Sequence, residues 1–498
     1  MPLPARRACA LAALISAALC GPSLAHAATA LKPCRVDSIP NELLCGSLQR
    51  PLDPARPDGA KVDIQFLVVP AMARNKQPDA VLMLAGGPGQ SAINVAPRVL
   101  QRLGRLNNRR DLVFIDQRGT GKSAPLDCAD DSKLPVTEQL DTAAQMRRLD
   151  ECRAALEKLP YGLDGGLRFF TTTIAMQDMD AVREALGVPQ WNLIGGSYGT
   201  RAALEYLRQF PTKVRRTIID GVAPPDMVLP ASFSPDTQAA LDKLIAAHAK
   251  THPELRADWQ KLLASLPRQV SVAHPLTGVP EQFAVDRELL LRAVRPPLYQ
   301  PALAAALPAA IHAAAADGRF EGLFGLTTAF GTGKGMKLAM GMHFSVICAE
   351  DVPRLAQAAD APAADFGRVD ADMYARVCKT WPRGEVPADF YKIPPAPSPV
   401  LLMSGGADPA TPARHGERVA KALAAGNPAR VQHLVVPEAG HGVMAVGCVR
   451  DVMFRFIDAK TDEAALPEGF LKDAACATRV PRPPAFQPVQ PVQAKALK

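Results

Sequence analysis

Ser197 stands in Gly195-Gly196-Ser197-Tyr198-Gly199, between the apolar run 191–194 and a helical pattern. A serine placed on a tight strand-to-helix turn projects its hydroxyl from a strained backbone, and small neighbours leave room for the turn. Gly195 and Gly199 supply that room here. Downstream, Ala203, Leu207 and Phe210 recur on one helical face until Pro211 stops the pattern. Upstream, residues 174–186 read as a helix closed by Gly187 and Pro189. The chemistry this placement suits is nucleophilic attack on a carbonyl carbon.

Such a serine needs a histidine to take its proton and a carboxylate to orient that histidine. The apolar run 400–403 leads into Ser404-Gly405-Gly406-Ala407-Asp408-Pro409, which puts Asp408 in the loop beyond a strand. The run 434–436 leads into Pro437-Glu438-Ala439-Gly440-His441-Gly442, which makes His441 the base candidate. His415 is the competing base, and Asp220, after the apolar run 217–219, is the competing acid. A plain turn or N-cap aspartate is the bland alternative for Asp408. The tetrahedral intermediate needs two backbone donors, expected from Tyr198 and from Gly87 in the loop Gly86-Gly87-Pro88-Gly89.

Two glycine-rich stretches imitate phosphate-binding loops. Gly121-Lys122-Ser123 has Asp116 where that motif requires glycine, and Gly331-Thr332-Gly333-Lys334-Gly335 lacks the final Ser or Thr. There is no His-Glu-x-x-His motif and no dinucleotide fingerprint, so neither metal nor cofactor is expected.

The elements that must position these residues follow from the apolar pattern. Runs at 62–69, 81–85, 112–115, 217–219, 400–403 and 434–436 read as strands alternating with helices, the signature of a doubly wound, mostly parallel α/β sheet. Between residues 224 and 399 the texture turns Ala- and Leu-rich, as in 303–316, and Pro224-Pro225 and Pro394-Pro395 bound it. This predicts a helical cap inserted into the sheet domain. The division expected is 28–224 and 396–480 for the core, 225–395 for the cap, and a disordered Pro/Gln-rich tail at 481–498.

Arg6 and Arg7, the apolar run 8–19 and Ala25-His26-Ala27 read as a secretory signal over 1–27, with the mature chain starting near Ala28. That run is too short to span a bilayer, and no later stretch is long enough. The expected location is periplasmic or secreted. The net charge of +8 is spread without a dense basic run interleaved with aromatics, which gives no footing for nucleic acid. Without Cys9 and Cys20, eight cysteines remain, falling as four sequence-local couples: Cys34 with Cys45, Cys128 with Cys152, Cys348 with Cys378, and Cys448 with Cys476. An even count in an exported chain suggests disulfides, and the absence of Cys-x-x-Cys spacing disfavours zinc or redox roles.

With these pieces placed, the chain resembles the proline iminopeptidase and tripeptidyl aminopeptidase family of α/β hydrolases. The resemblance rests on Gly86-Gly87-Pro88-Gly89-Gln90-Ser91, Asp116-Gln117-Arg118-Gly119-Thr120-Gly121-Lys122-Ser123, the Ser197 and Asp408 segments, and Gly440-His441-Gly442. It implies an α/β-hydrolase fold, the triad Ser197, Asp408 and His441, and peptide substrates with a free amino terminus. Ala85 departs from the histidine that proline iminopeptidases carry before the glycines, which points to the secreted tripeptidyl-type branch. A terminal ammonium calls for a desolvated carboxylate; Glu350 is the first choice and Asp351 the second, against the alternative of solvated acids at a helix start. Two further readings remain: a carboxylesterase or lipase with the same triad, and a non-catalytic binding protein on the same scaffold.

Overall fold

The computed structural model describes residues 31–331 and 337–484. The predicted signal at 1–27, the expected mature start near Ala28, most of the Pro/Gln-rich tail and most of the Gly331–Gly335 stretch lie outside these residues. The strands, in chain order, are β1 (Lys32–Cys34), β2 (Leu43–Pro51), β3 (Lys61–Val69), β4 (Ala80–Leu84), β5 (Leu112–Ile115), β6 (Trp191–Gly196), β7 (Val214–Asp220), β8 (Arg268–Ala273), β9 (Pro280–Val285), β10 (Val400–Gly405) and β11 (Val431–Val436). Nine of them form one sheet in the order β1-β2-β3-β5-β4-β6-β7-β10-β11. From β5 to β11 every pairing is parallel, and β1, β2 and β3 add an antiparallel edge.

Side chains alternate across this sheet and fill two apolar layers. Val62, Ile64, Phe66 and Val68 of β3 face one layer, and Leu67 and Val69 face the other. Leu401 and Met403 lie opposite Val400 and Leu402 in the same way. The strand order reverses between β4 and β6, where Leu84 pairs with Gly195. Ligands of open α/β sheets bind at such a reversal, beyond the carboxyl ends of the strands.

The inserted segment is not uniformly a helical cap. Ala240, Trp259, Phe283, Leu290, Ile311 and Phe324 belong to a separate apolar cluster. That cluster includes a β8–β9 hairpin, in which Val270, Val272, Phe283 and Val285 point inward at a period of two. The predicted helix at 303–316 is two, Pro301–Ala304 and Leu307–Asp317, and Pro308 opens the second. The helix Met340–Glu350 is buried along its whole length and joins the apolar layer of the sheet through Met342, Phe344 and Val346. A helix apolar on all sides packs into a core rather than onto a surface.

The four sequence-local cysteine couples are all bonded, with Cα–Cα separations between 5.1 and 6.2 Å. Among the described residues no helix is long and apolar enough to cross a membrane.

Arg118 is fully buried. It grips Asp178 with two N–H groups at 2.7 and 3.0 Å and gives its remaining donors to the carbonyls of Pro51, Leu52 and Phe169. This ties the loop after β5 to β2 and to the helix Thr172–Ala185. Removing one partner of a buried pair leaves an uncompensated charge. Asp178→Ala is therefore expected to destabilise the fold by about 3–5 kcal/mol, measured as a lowered denaturant midpoint.

Candidate active site

The turn from β6 into the helix Tyr198–Gln209 sets Ser197. Ser197 adopts φ 55° and ψ −125°, a positive φ that a residue with a side chain adopts only under constraint. Its N–H donates to the Asp220 carbonyl at 2.9 Å, and its carbonyl accepts from the Thr200 N–H and hydroxyl. A Cβ on Gly199 would lie 2.2 Å from the Leu84 carbonyl oxygen, and one on Gly195 would lie 2.3 Å from the Gly199 carbonyl oxygen. Nothing larger than glycine fits at either position.

Asp408 follows β10 and His441 follows β11. The imidazole Nδ1 and Asp408 Oδ2 are 2.8 Å apart, which makes Nδ1 the protonated nitrogen of the neutral ring and leaves Nε2 free of a proton. Asp408 also accepts from the Ala410 and Thr411 N–H groups and from the Thr411 hydroxyl. Burial opposes its charge, but the attraction and hydrogen bond of His441, with the Thr411 and Ala410 donors, outweigh it and hold the carboxyl below its usual range. Burial likewise opposes the imidazolium, and Asp408, then Asp220, outweigh it to raise His441.

Ser197, His441, Gly87 and Tyr198 line one cavity of about 470 Å³. Leu229, Phe233, Tyr299, Phe330 and Leu338 of the inserted segment line it as well, and among the described lining residues Asp220 is the only acid. Gly87 has a φ of 109°, and the cap touches its loop where Ala339 N–H donates to the Gly89 carbonyl at 2.9 Å. Behind the loop, Asp116 accepts from the Ser91 hydroxyl, Ile93 N–H and Lys122 N–H. A Cβ on Gly121 would sit 1.9 Å from that carboxylate. The Asp116–Ser123 run is therefore a brace for the glycine loop, not a phosphate cradle.

Glu350 and Asp351 do not line the cavity. Glu350 accepts from the Thr172 N–H and hydroxyl and from Arg201, while Asp351 takes two N–H groups of Arg201 and the Leu229 N–H. Both are almost wholly buried. Their oxygens face Arg201, one turn along the helix from Ser197, so a substrate ammonium would have to displace a guanidinium. The reading of these two as amine anchors gives way to that of a buried ionic joint. His415, the competing base, is turned to Asp236 at 2.9 Å.

Two residues at the site carried no weight in the sequence reading. Thr411 lies 3.1 Å from His441 Nδ1 as well as capping Asp408. The Asp-x-x-Thr spacing, in which an aspartate accepts from backbone two and three residues on, was the available signal. Tyr299 accepts the His441 N–H on its carbonyl at 2.8 Å, and its ring meets the imidazole edge-on at 5.1 Å. Nothing local in Pro296-Pro297-Leu298-Tyr299 signals this contact.

Burial pushes Glu350 up from 4.5 to about 7, against the pull of Arg201 and Thr172. A folded value above the unfolded one means that the folded chain holds an extra proton between those limits, so stability falls as pH rises across that window. Glu350→Gln removes this decline. Between pH 5 and 8 the variant is expected to gain on the parent by about 1–3 kcal/mol in denaturant unfolding.

The family model described as the alpha/beta hydrolase fold matches residues 79–447. The serine protease Hip1 of Mycobacterium tuberculosis is 32% identical over 206 residues, which cover 39% of this chain and 39% of that protein. The tripeptidyl aminopeptidase of Streptomyces lividans is 29% identical over 267 residues, covering 50% of this chain and 46% of that protein. The chain thus spans less than half the length of these two relatives. The crystal structure of proline iminopeptidase from Mycobacterium smegmatis aligns with a TM-score of 0.38 at 17% identity, over 86% of this chain and 99% of that one. With the family matched over most of its length and the expected sheet in place, the chain belongs to the α/β hydrolase fold family.

Proposed function

We propose that the chain is an exported serine peptidase that releases residues from the free amino terminus of short peptides through an acyl-enzyme on Ser197. The observation that carries this reading is the convergence of a serine on a strained turn and a carboxylate-oriented histidine on one cavity. His441 Nε2 takes the Ser197 proton as Oγ attacks the scissile carbonyl. The N–H groups of Gly87 and Tyr198 receive the oxyanion. His441 then gives the proton to the departing amine, and a water activated by the same nitrogen releases the acyl group. In this reading the described parts of 28–224 and 396–480 form the catalytic core, and those of 225–395 form the cap except for the helix Met340–Glu350, which packs into the core. The names of the relatives, a serine protease and a tripeptidyl aminopeptidase, support a peptide substrate. The bonded cysteines support export.

A second reading, an esterase with the same triad, draws on the cavity wall. Val95, Val99, Phe233 and Leu338 make it largely apolar, and Glu350 and Asp351 are absent from it. A neutral acyl ester suits such walls as well as a peptide does.

Ser197→Ala is expected to lower kcat by about 10³ to 10⁶ with the fold intact, and His441→Ala by a similar amount. The double variant should lose little more, because the residues act as a unit. Activity of either single variant within tenfold of the parent excludes these assignments. Peptide anilides with a free amine should be cleaved more than tenfold faster than their N-acetylated forms, as release from a free amino terminus requires. Equal rates on both would pass the reading to the esterase.

A further inference from the structure

Asp220 closes β7, fully buried, directly between the two loops that carry Ser197 and His441. Its main-chain carbonyl accepts the Ser197 N–H at 2.9 Å. Its Oδ2 accepts the N–H groups of Val443 and Met444, just past His441, at 2.7 and 2.8 Å. Its Oδ1 has no hydrogen-bond partner among the described residues. Gly221, the next residue, has a φ of 66°, and a Cβ there would come within 3.3 Å of the imidazole. One residue thus fixes the nucleophile turn through its backbone and the histidine loop through its side chain.

The hydrogen bonds alone do not call for a carboxylate. A single acceptor oxygen serves both loop N–H groups, and an amide would supply it without burying a charge. An ionised group with one unpartnered oxygen in a buried place is expensive unless something nearby uses the charge. The titratable groups acting on it are His441, which favours its ionised form, and Asp408, which opposes it; Arg295 acts on His441 from the cap side.

We propose that Asp220 is a positioning residue of the reaction, a second carboxylate that clamps the His441 loop to the Ser197 turn and supports the imidazolium formed in turnover. Asp408 orients the ring by a direct hydrogen bond, and Asp220 acts across space and through the loop. Burial raises the Asp220 carboxyl to about 6 against the Met444 and Val443 donors. The group is therefore charged at neutral pH and loses its charge in mildly acidic solution.

The inference rests on the serine-hydrolase reading, and one experiment separates the two. The full chain is labelled with a fluorophosphonate, which reacts with an activated serine, and the rate is followed from pH 4.5 to 9. In the parent, two groups must be unprotonated, so the logarithm of the rate should fall towards low pH with a slope above one. Asp220→Asn keeps the loop acceptor and removes the charge. It should label about tenfold or more slowly, and its acid limb should have a slope of one. That limb should also lie at lower pH, because His441 loses a neighbour that raises it. An Asp220→Asn rate and acid limb equal to the parent's overturn the proposal, as does a slowed variant whose limb has not moved, which marks a structural part only. Should that variant fail to fold, the parent decides alone, a slope of one excluding Asp220. A parent that takes no label at any pH overturns the serine-hydrolase reading and this inference with it.

Discussion

The backbone at Ser197 is the constraint around which the rest is arranged. A non-glycine residue at φ 55° and ψ −125° stores on the order of 1–3 kcal/mol and persists only where its surroundings over-determine it. Three neighbours do so. Asp220 takes the N–H, Thr200 holds the carbonyl from two donors, and the Thr200 hydroxyl in turn accepts the Ala223 N–H. The Leu84 carbonyl of β4 occupies the space a Cβ on Gly199 would need. The strained turn is therefore a product of the strand order, since β4, β6 and β7 must be neighbours for these contacts to exist.

The buried charges around this turn differ in how they are compensated. Arg118 is matched by Asp178 and three carbonyls, and Arg201 by Asp351 and Glu350. Such joints contribute little net stability compared with apolar packing, yet breaking one is severe. Their value here is geometric. Arg201 also reaches the Pro224 and Met227 carbonyls where the chain leaves the core, and its acids stand at the end of the buried helix Met340–Glu350. The start of the insertion and its buried helix Met340–Glu350 are thereby fastened to the helix that follows Ser197. Tyr198 joins the same network, since its hydroxyl meets Thr172, which donates to Glu350.

Features set by short-range rules were legible in the sequence. The strands, the tight turn at Ser197 and the placement of Asp408 and His441 just beyond strand ends all follow from apolar period and glycine spacing. The cysteine couples were legible because each closes a short loop. What depends on distant partners was not. Glu350 and Asp351 look like free acids at a helix end until Arg201, about 150 residues away in the chain, is placed against them. The β8–β9 hairpin escaped because the surrounding Ala- and Leu-rich stretch dominates the local pattern. The burial of Met340–Glu350 in the sheet's own layer is a tertiary fact with no local mark beyond its apolarity.

Tyr299 bears on how substrate selection and chemistry are linked in this molecule. Its carbonyl fixes the His441 N–H, its ring abuts the imidazole, and a Cβ on Gly440 would come 2.3 Å from that carbonyl. The same ring lines the cavity beside Phe330 and Phe233. Arg295, held by Asp370, lies over the Phe233 ring and reaches the Tyr299 hydroxyl. A wall that would contact a substrate side chain is thus also a support of the histidine. Reshaping the cap side of the cavity then displaces His441 as well as the cavity wall. In this architecture, specificity and turnover cannot be altered independently from that wall, whereas the Val95 and Val99 side of the cavity makes no such contact with His441.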